Sequence, residues 1–504
     1  MARALMIMGT ASDVGKTVIA AGLCRIFRRR GIKVAPFKAQ NMSLNSFVTM
    51  EGGEMGRAQV VQAEACGLIP HVDMNPILLK PEADNCSQII VHGKVWGKHH
   101  ARSYFGRRSE LFSFVQDSYR RLARAYDLVV IEGAGSAAEV NLRDKDIVNW
   151  PVAGMADARV ILVADIDRGG VFAQVIGTLD LLKAEERGRV LGVIINKFRG
   201  DLSLFDDGVE YLQERTRLPV LGVVPFERKL ELDQEDSVEI ERQQNIPFAA
   251  EKVNIAVVLV PHMSNFTDFN TLNAEPDVAL RYIKSPQEML GTDVIILPGS
   301  KSTIADLDYL RQAGFVPALN DHSENGGELV GICGGYQMLG REISDFHGIE
   351  SSGKTTGLGF LDVVTKLMPK KRTAQIEARP LLRDIPVDCA VQGYEIHMGQ
   401  TERGQVSPCF RILSRDSEGA ESMDDGAIND DCGTWGTYIH GVFDSPHFRR
   451  YWLNQIRTRK GLAMLPLSVS ENVNQRRSNA IDKWADHLEN HLNLTAIFDG
   501  FQLE

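Results

Sequence analysis

Long apolar runs are missing from this chain. No stretch reaches the ~18 consecutive apolar residues that a bilayer-spanning helix needs, so a membrane role is not expected. A surplus of positive charge is missing too. The formal net charge is −10, which argues against a nucleic-acid binder working through bulk electrostatics. A locally basic site for an anionic substrate stays open. The seven cysteines, at positions 24, 66, 86, 333, 389, 409 and 432, form no Cys-x-x-Cys pair and show no metal-ligand spacing. They read as reduced thiols of a cytoplasmic protein. Met1-Ala-Arg3 runs directly into an apolar strand and lacks the pattern of a secretion signal. Internal repeats and low-complexity tracts are also absent from the sequence.

What is present is an alternation of short apolar runs with helical stretches over 504 residues, enough for two or three domains. Strands are predicted at Ala4–Met8, Lys33–Phe37, Ile89–His92, Leu128–Glu132, Arg159–Asp165, Val190–Asn196 and Val220–Val224. Several are unbroken Val/Ile/Leu runs, the signature of parallel strands buried on both faces. Helices are predicted at Lys16–Arg29 and Leu111–Ala125. The alternation implies a doubly wound α/β sheet. Glu227–Glu251 is polar and charge-rich and reads as a connection. A second α/β series follows at Asn254–Val260, Val294–Pro298, Leu329–Cys333, Asp388–Ile396 and Thr434–His440, and the chain turns helical from Arg449 onward. The expected organisation is therefore two doubly wound α/β domains, residues 1–226 and 252–450, joined by 227–251 and followed by a helical extension, 451–504.

Chemistry is concentrated at two strand-to-turn junctions. The first is Gly9-Thr-Ala-Ser-Asp-Val-Gly-Lys-Thr17, with five residues between its glycines where the common phosphate loop has four. Glycines at Gly9 and Gly15 let backbone N–H groups of the loop, Thr10 to Asp13 included, converge on phosphate oxygens. The following helix start adds a positive dipole end. Lys16 then reaches the β- and γ-phosphates, and the Thr17 hydroxyl is placed to ligate Mg²⁺. Leu128-Val-Val-Ile-Glu132 is a buried strand whose carboxylate falls at a glycine turn, where an open α/β sheet presents ligand groups. Glu132 is the expected metal-associated carboxylate, with Glu54 in Gly53-Glu-Met-Gly-Arg-Ala-Gln59 a weaker candidate. Asn196, at the end of another strand, either reads the adenine edge or serves as a turn residue. The ligands expected here are ATP and Mg²⁺.

The second junction is Gly331-Ile-Cys-Gly-Gly335. Small residues around Cys333 let a strand turn sharply into a helix with the thiol at the tip, and the Gly334 N–H can face an oxyanion. A base is needed. His440 closes the run Thr434-Trp-Gly-Thr-Tyr-Ile-His440, and His397 is its rival. His440 is preferred. A phosphate loop and an acyl-forming thiol on one chain suggest that nitrogen released at the cysteine is used at the ATP site.

The first 225 residues resemble the dethiobiotin synthetase type of P-loop enzyme, which has the same enlarged loop and activates carboxylates as acyl phosphates. They lack the extra early lysine of the partitioning ATPases. The cysteine elbow, the downstream histidine and Leu297-Pro-Gly-Ser300 resemble the class I glutamine amidotransferases. That resemblance implies a γ-glutamyl thioester on Cys333 and an oxyanion N–H from Gly299 or Ser300. The usual glutamate two residues after the histidine is Val442 here, so either another carboxylate orients His440 or a Cys–His dyad suffices.

In combination, six segments resemble the cobyric acid synthase family over residues 1 to 450. They are Lys38-Ala-Gln-Asn-Met-Ser-Leu-Asn-Ser46, Gly53–Gln59, Asp165-Ile-Asp-Arg-Gly-Gly-Val-Phe172, Asn196-Lys-Phe-Arg-Gly-Asp201, Pro298-Gly-Ser-Lys-Ser-Thr303 and Gly393-Tyr-Glu-Ile-His-Met-Gly399. The resemblance implies glutamine- and ATP-dependent amidation of corrinoid carboxylates, with L-glutamine and a corrinoid as partners. The basic stretch Lys98–Arg102 with Arg107 and Arg108 either meets that polycarboxylate or is a solvated face. Two other readings remain: a cobyrinic acid a,c-diamide synthase, which shares both domains, and a regulatory P-loop ATPase with a glutaminase-like module. The oligomeric state is left open.

Overall fold

The computed structural model describes the chain except residues 1, 84–85, 101–103, 105, 228–229, 231, 233–245, 351–352, 416–422, 432 and 501–504. Most of the expected connection 227–251, part of the basic stretch 98–102, and Cys432 therefore lie outside the described residues. The chain forms two compact units: Met1–Ser43 with Glu54–Gln234 and Arg476–Glu504, and Leu44–Gly53 with Glu235–Gln475.

The first unit is built on six strands: β1 (Arg3–Gly9), β2 (Val34–Phe37), β3 (Leu128–Glu132), β4 (Arg159–Asp165), β5 (Val190–Phe198) and β6 (Val220–Pro225). They lie in the order β6-β5-β4-β1-β3-β2, and every pairing is parallel. Their Val/Ile/Leu content reflects burial on both faces; β3 is buried at every position. Register decides what meets at the carboxyl edge. Ile7 lies beside Glu132 and Gly9 beside Val163, and Asp165 lies beside Asn196. The loop after β1 and the ends of β3 and β5 therefore share one rim, ahead of helix α1 (Lys16–Arg29).

One expectation needs correction here. The run at Ile89–His92 is not part of the parallel series. It lies in the strand Cys86–Val91, which pairs antiparallel with Ile77–Ala83 and Lys94–His100 in a four-stranded side sheet. The cause is local: His92 (φ 45°) and Gly93 (φ 75°) make a two-residue left-handed turn, which forces a hairpin and leaves no room for a crossover. The C-terminal stretch also divides between the units. Helix Pro446–Arg459 belongs to the second unit and the residues from Arg476 to the first. Trp484 and Leu488 pack over Gly22 of α1. The Trp484 indole donates to the Val18 carbonyl at 2.7 Å.

The second unit carries β7 (Val253–Val258), β8 (Val278–Ile283), β9 (Val294–Leu297), β10 (Glu328–Ile332) and, later in the chain, Thr434–Thr437. These five are parallel, in the order β8-β7-β9-β10-(Thr434–Thr437). A helix of six residues, α2 (Gly334–Leu339), follows β10. The expected strand at Asp388–Ile396 is found at Val391–Arg403 (β12), and it leaves the parallel series. It pairs antiparallel with the long strand β11 (Val363–Pro380) in a separate sheet. The fold class read from the sequence, two doubly wound α/β domains, is the architecture observed.

Candidate active site

In the first unit, the enlarged loop closes back on itself around Lys16. The lysine is 8% exposed, and its Nζ donates to the carbonyls of Gly135 at 3.0 Å and Ala11 at 3.2 Å. Gly15 adopts φ 97°, and a Cβ there would stand 2.2 Å from Asn196 Nδ2; only glycine fits. Asn196 donates to the Val14 carbonyl at 2.8 Å, so this amide hydrogen holds the loop. Thr10 hydrogen-bonds Gln174 at 3.3 Å. Asp13 sits at φ 58°, with its carbonyl taking Lys197 at 2.5 Å and its carboxylate 3.6 Å from Arg168.

The Thr17 hydroxyl donates to Glu132 Oε1 at 2.7 Å, which joins the two residues expected at the metal. Glu132 is 1% exposed. It also takes Lys38 at 3.0 Å and Gln62 at 2.6 Å. Burial pushes its carboxyl up, but the Lys38 charge and the hydrogen bonds from Thr17, Lys38 and Gln62 outweigh burial and hold it below the usual carboxylate value. Lys38 and Gln62 were not singled out from the sequence. Lys38 immediately follows β2, on the same carboxyl rim, and that placement is a signal a stricter reading could have used. Glu54 is buried and takes Lys80 at 2.6 Å.

The donors fit a hard cation. A hydroxyl and a carboxylate oxygen converge, and Mg²⁺ takes few protein oxygens alongside phosphates and water. Among the described residues no group of three or more His, Cys, Asp or Glu side chains could hold a metal alone.

In the second unit, Cys333 stands between β10 and α2 at φ 51° and ψ −104°. This is a strained conformation for a residue with a side chain, of the kind found at nucleophile elbows. The turn is possible because its neighbours are glycines. A Cβ on Gly335 would lie 1.9 Å from the Leu297 carbonyl oxygen, and one on Gly334 would lie 2.8 Å from the Ser300 nitrogen. The end of β9 thus stands directly against the elbow. Gly299 is beside the histidine: a Cβ there would be 3.1 Å from His440 Cε1.

His440 lies past the end of its strand, bridged to Tyr394 of β12 by paired backbone hydrogen bonds of 2.9 and 3.1 Å. Its Nδ1 is 2.7 Å from Asp268 Oδ2, and Asp268 Oδ1 accepts from the Gly441 N–H at 3.0 Å. Asp268 was not foreseen. It answers the question left by Val442, whose side chain is part of the apolar core; the carboxylate comes instead from a single-turn helix, Phe266–Phe269, 172 residues earlier. Burial opposes protonation of the ring, but the Asp268 charge outweighs it. With Cys333 and the hydrogen bonds to both, Asp268 holds the imidazolium up to about 10. His397, the rival base, has its Nδ1 2.8 Å from the Gly399 carbonyl and stacks on Tyr438 at 3.8 Å.

Comparison with known proteins bears on the family of the chain. Residues 254–448 match the CobB/CobQ-like glutamine amidotransferase domain family, and residues 3–234 match an AAA domain family. The chain is 47% identical to cobyric acid synthase of Syntrophobacter fumaroxidans, covering 98% of each chain. It is 48% identical to cobyric acid synthase of Citrobacter koseri, covering 100% of this chain and 99% of the relative. The cobyric acid synthase of Listeria innocua is 45% identical over 98% of this chain and 96% of its own. Among solved structures, a glutamine amidotransferase superposes on 41% of the chain at 13% identity with a TM-score of 0.31, too weak a likeness to bear on the fold.

Proposed function

The chain belongs to the cobyric acid synthase family, and from that premise we propose that it amidates the b, d, e and g carboxylates of adenosylcobyrinic acid a,c-diamide, using glutamine and ATP, to give adenosylcobyric acid. The observation that carries the reading is a buried Cys333–His440–Asp268 array on a chain that also holds a phosphate loop. An intact array of this kind disfavours a regulatory ATPase with an inert glutaminase-like module.

The geometry supports the following glutaminase half-reaction. His440 takes the thiol proton, and Cys333 Sγ attacks the side-chain carbonyl of glutamine. The oxyanion forms beside the Gly334 N–H and the Gly299–Ser300 segment. His440 returns its proton to the departing ammonia, leaving a γ-glutamyl thioester. A water activated by the same histidine then releases glutamate. Asp268 fixes the ring orientation and balances the imidazolium.

At the other site, a corrinoid carboxylate oxygen attacks the γ-phosphorus of ATP and displaces ADP, and the acyl phosphate so formed is a good electrophile. Ammonia displaces phosphate from it to leave the amide. The loop N–H groups and Lys16 hold the phosphates, and Asn196 keeps the loop in shape. Thr17 and Glu132 are the residues that would hold Mg²⁺, which when bound neutralises charge on the phosphates. Glu54 is a weaker candidate for the same role. The six described cysteines outside position 432 are free thiols, which supports a cytoplasmic enzyme. No helix among the described residues is long and apolar enough to cross a membrane. The direct test of the function is acceptor dependence. ATP turnover should rise on adding the corrinoid diamide, and turnover indifferent to any corrinoid would count against the assignment.

Two substitutions probe the sites separately. Glu132→Gln removes the anionic oxygen beside Thr17, so the Mg²⁺ needed for half-maximal amidation should rise about 10- to 100-fold, with either nitrogen source. An unchanged Mg²⁺ titration would remove Glu132 from the metal site.

Asp268→Asn should lower glutamate release by about 10²- to 10⁴-fold. It should also change the pH dependence of stability. The folded-state value of His440, about 10, lies above the ordinary 6.5. The pair's contribution is therefore fully present below 6.5 and is lost as pH rises toward 10. Denaturant unfolding across that window should show wild type losing stability more steeply than the variant. Parallel profiles would contradict the ion pair.

A further inference from the structure

One conspicuous segment of the sequence has no part in either half-reaction. Leu44–Gly53 falls in the nucleotide-binding half of the sequence, between a side-sheet strand (Gln40–Met42) and Glu54, yet it packs within the second unit. Ser46 is fully buried and Asn45 is 1% exposed. The Ser46 N–H donates to Asn265 Oδ1 at 3.0 Å. The Thr267 hydroxyl donates to Asn45 Oδ1 at 3.1 Å. Asn265 caps the turn that presents Asp268, and Thr267 is the turn's second residue.

The same segment reaches the other side of the histidine. The Tyr394 ring lies nearly parallel to the His440 imidazole, at 17° with centroids 5.3 Å apart. The Tyr394 hydroxyl donates to the Ser46 carbonyl at 3.2 Å, and Phe47 packs edge-on against its ring at 5.4 Å. Beyond this point the segment is tied to β11. Gln375 donates to the Val48 carbonyl, and Thr373 donates to the Gly52 carbonyl at 2.7 Å.

We propose that Asn45 and Ser46, acting through Thr267, Asn265 and Tyr394, are positioning residues for His440 and Asp268. The proposal rests on the glutaminase reading of the second unit. The segment holds both partners of the histidine: the turn that carries its carboxylate and the ring stacked on its face. Asp268 is carried on a turn only four residues long, which has too few internal hydrogen bonds to fix a carboxylate by itself. An outside anchor at Asn265 and Thr267, three residues and one residue before Asp268, supplies what the turn lacks. A histidine must also hold its position within about 0.5 Å and its angle to the thiol within about 10–20° to act as both base and acid. Glutamine hydrolysis on this chain therefore depends on residues encoded in the other half of the sequence. Their flanks, Lys38 and Glu54, belong to the unit that handles ATP.

The test uses the full chain and three conservative variants. Thr267→Val keeps the side chain's shape and deletes only its donor to Asn45; Thr267→Ser keeps the donor; Tyr394→Phe keeps the stack and deletes the donor to Ser46. Glutamate release is measured for kcat and KM, and amidation of the corrinoid diamide is measured separately with ammonium. Thr267→Val and Tyr394→Phe should lose about tenfold in kcat for glutamate release, with KM for glutamine held within about twofold. Thr267→Ser should recover most of the loss, and ammonium-driven amidation should be unchanged in all three.

Wild-type glutamate release by both Thr267→Val and Tyr394→Phe would overturn the proposal. So would an equal loss in Thr267→Ser. A fall in ammonium-driven amidation of the same size would overturn it too, because it would mark a damaged fold. Cys333→Ala, run beside them, separates this failure from the failure of the glutaminase reading. Wild-type glutamate release by Cys333→Ala would sink the reading itself and this proposal with it.

Discussion

Cys333→Ala should lose glutamine-dependent amidation by at least about 10⁴-fold, while ammonium at alkaline pH still drives product formation. The size of the loss follows from the chemistry. Neither His440 nor the proposed oxyanion donors can form the thioester in place of the thiol. The other five described cysteines lie outside the glycine elbow: Cys24, Cys66, Cys389 and Cys409 are buried and Cys86 is partly buried. Burial pushes the thiols of Cys24, Cys389 and Cys409 up in pKa, away from thiolate. The ammonium arm isolates the defect. On the proposed reading, acyl phosphate formation belongs to Lys16, Thr17 and Glu132 in the first unit, and the substitution leaves them untouched. Glutamate release by Cys333→Ala at the wild-type rate would place the nucleophile elsewhere. Failure with both nitrogen sources would indicate a role for Cys333 in the fold.

Lys16→Ala should fail in the complementary way. Acyl phosphate formation precedes nitrogen attack, so amidation should fall about 10²- to 10³-fold or more with glutamine and ammonium alike. Lys16 Nζ is held by the backbone carbonyls of Ala11 and Gly135, which on the proposed reading keeps its charge at the phosphate loop. Removing it leaves the loop's N–H groups but no mobile cation to follow charge onto the leaving phosphate. The array at Cys333 should survive, because its residues belong to the second unit and Lys16 to the first. Near-normal amidation with saturating ammonium would remove the loop from the chemistry.

Local patterns were legible in the sequence, and long-range ones were not. The phosphate loop, the cysteine elbow and the strands under them are each encoded within about ten residues, as burial on both faces and glycine spacing require. His440 was legible because its run closes a strand of the same sheet. Asp268 was not. Its turn has no periodicity, and its pairing with His440 spans 172 residues; only the missing glutamate at Val442 hinted that a substitute existed. Lys38 stood inside a segment the sequence marked out, but its partner Glu132 lies 94 residues on. Strand direction was the other blind spot. Ile89–His92 and Asp388–Ile396 read as buried strands, and burial alone does not separate a parallel crossover from a hairpin. The turn at His92-Gly93 decided the first case.

The central claim is that nitrogen freed at Cys333 ends on a corrinoid carboxylate activated by ATP. The most direct measurement is mass spectrometry of the corrinoid diamide after incubation with wild-type protein, Mg-ATP and glutamine carrying heavy nitrogen in its side-chain amide. The account predicts four successive mass shifts, each that of a hydroxyl replaced by a labelled amide, with ATP consumed in step. A corrinoid of unchanged mass, with the label recovered only as free ammonia, would contradict it.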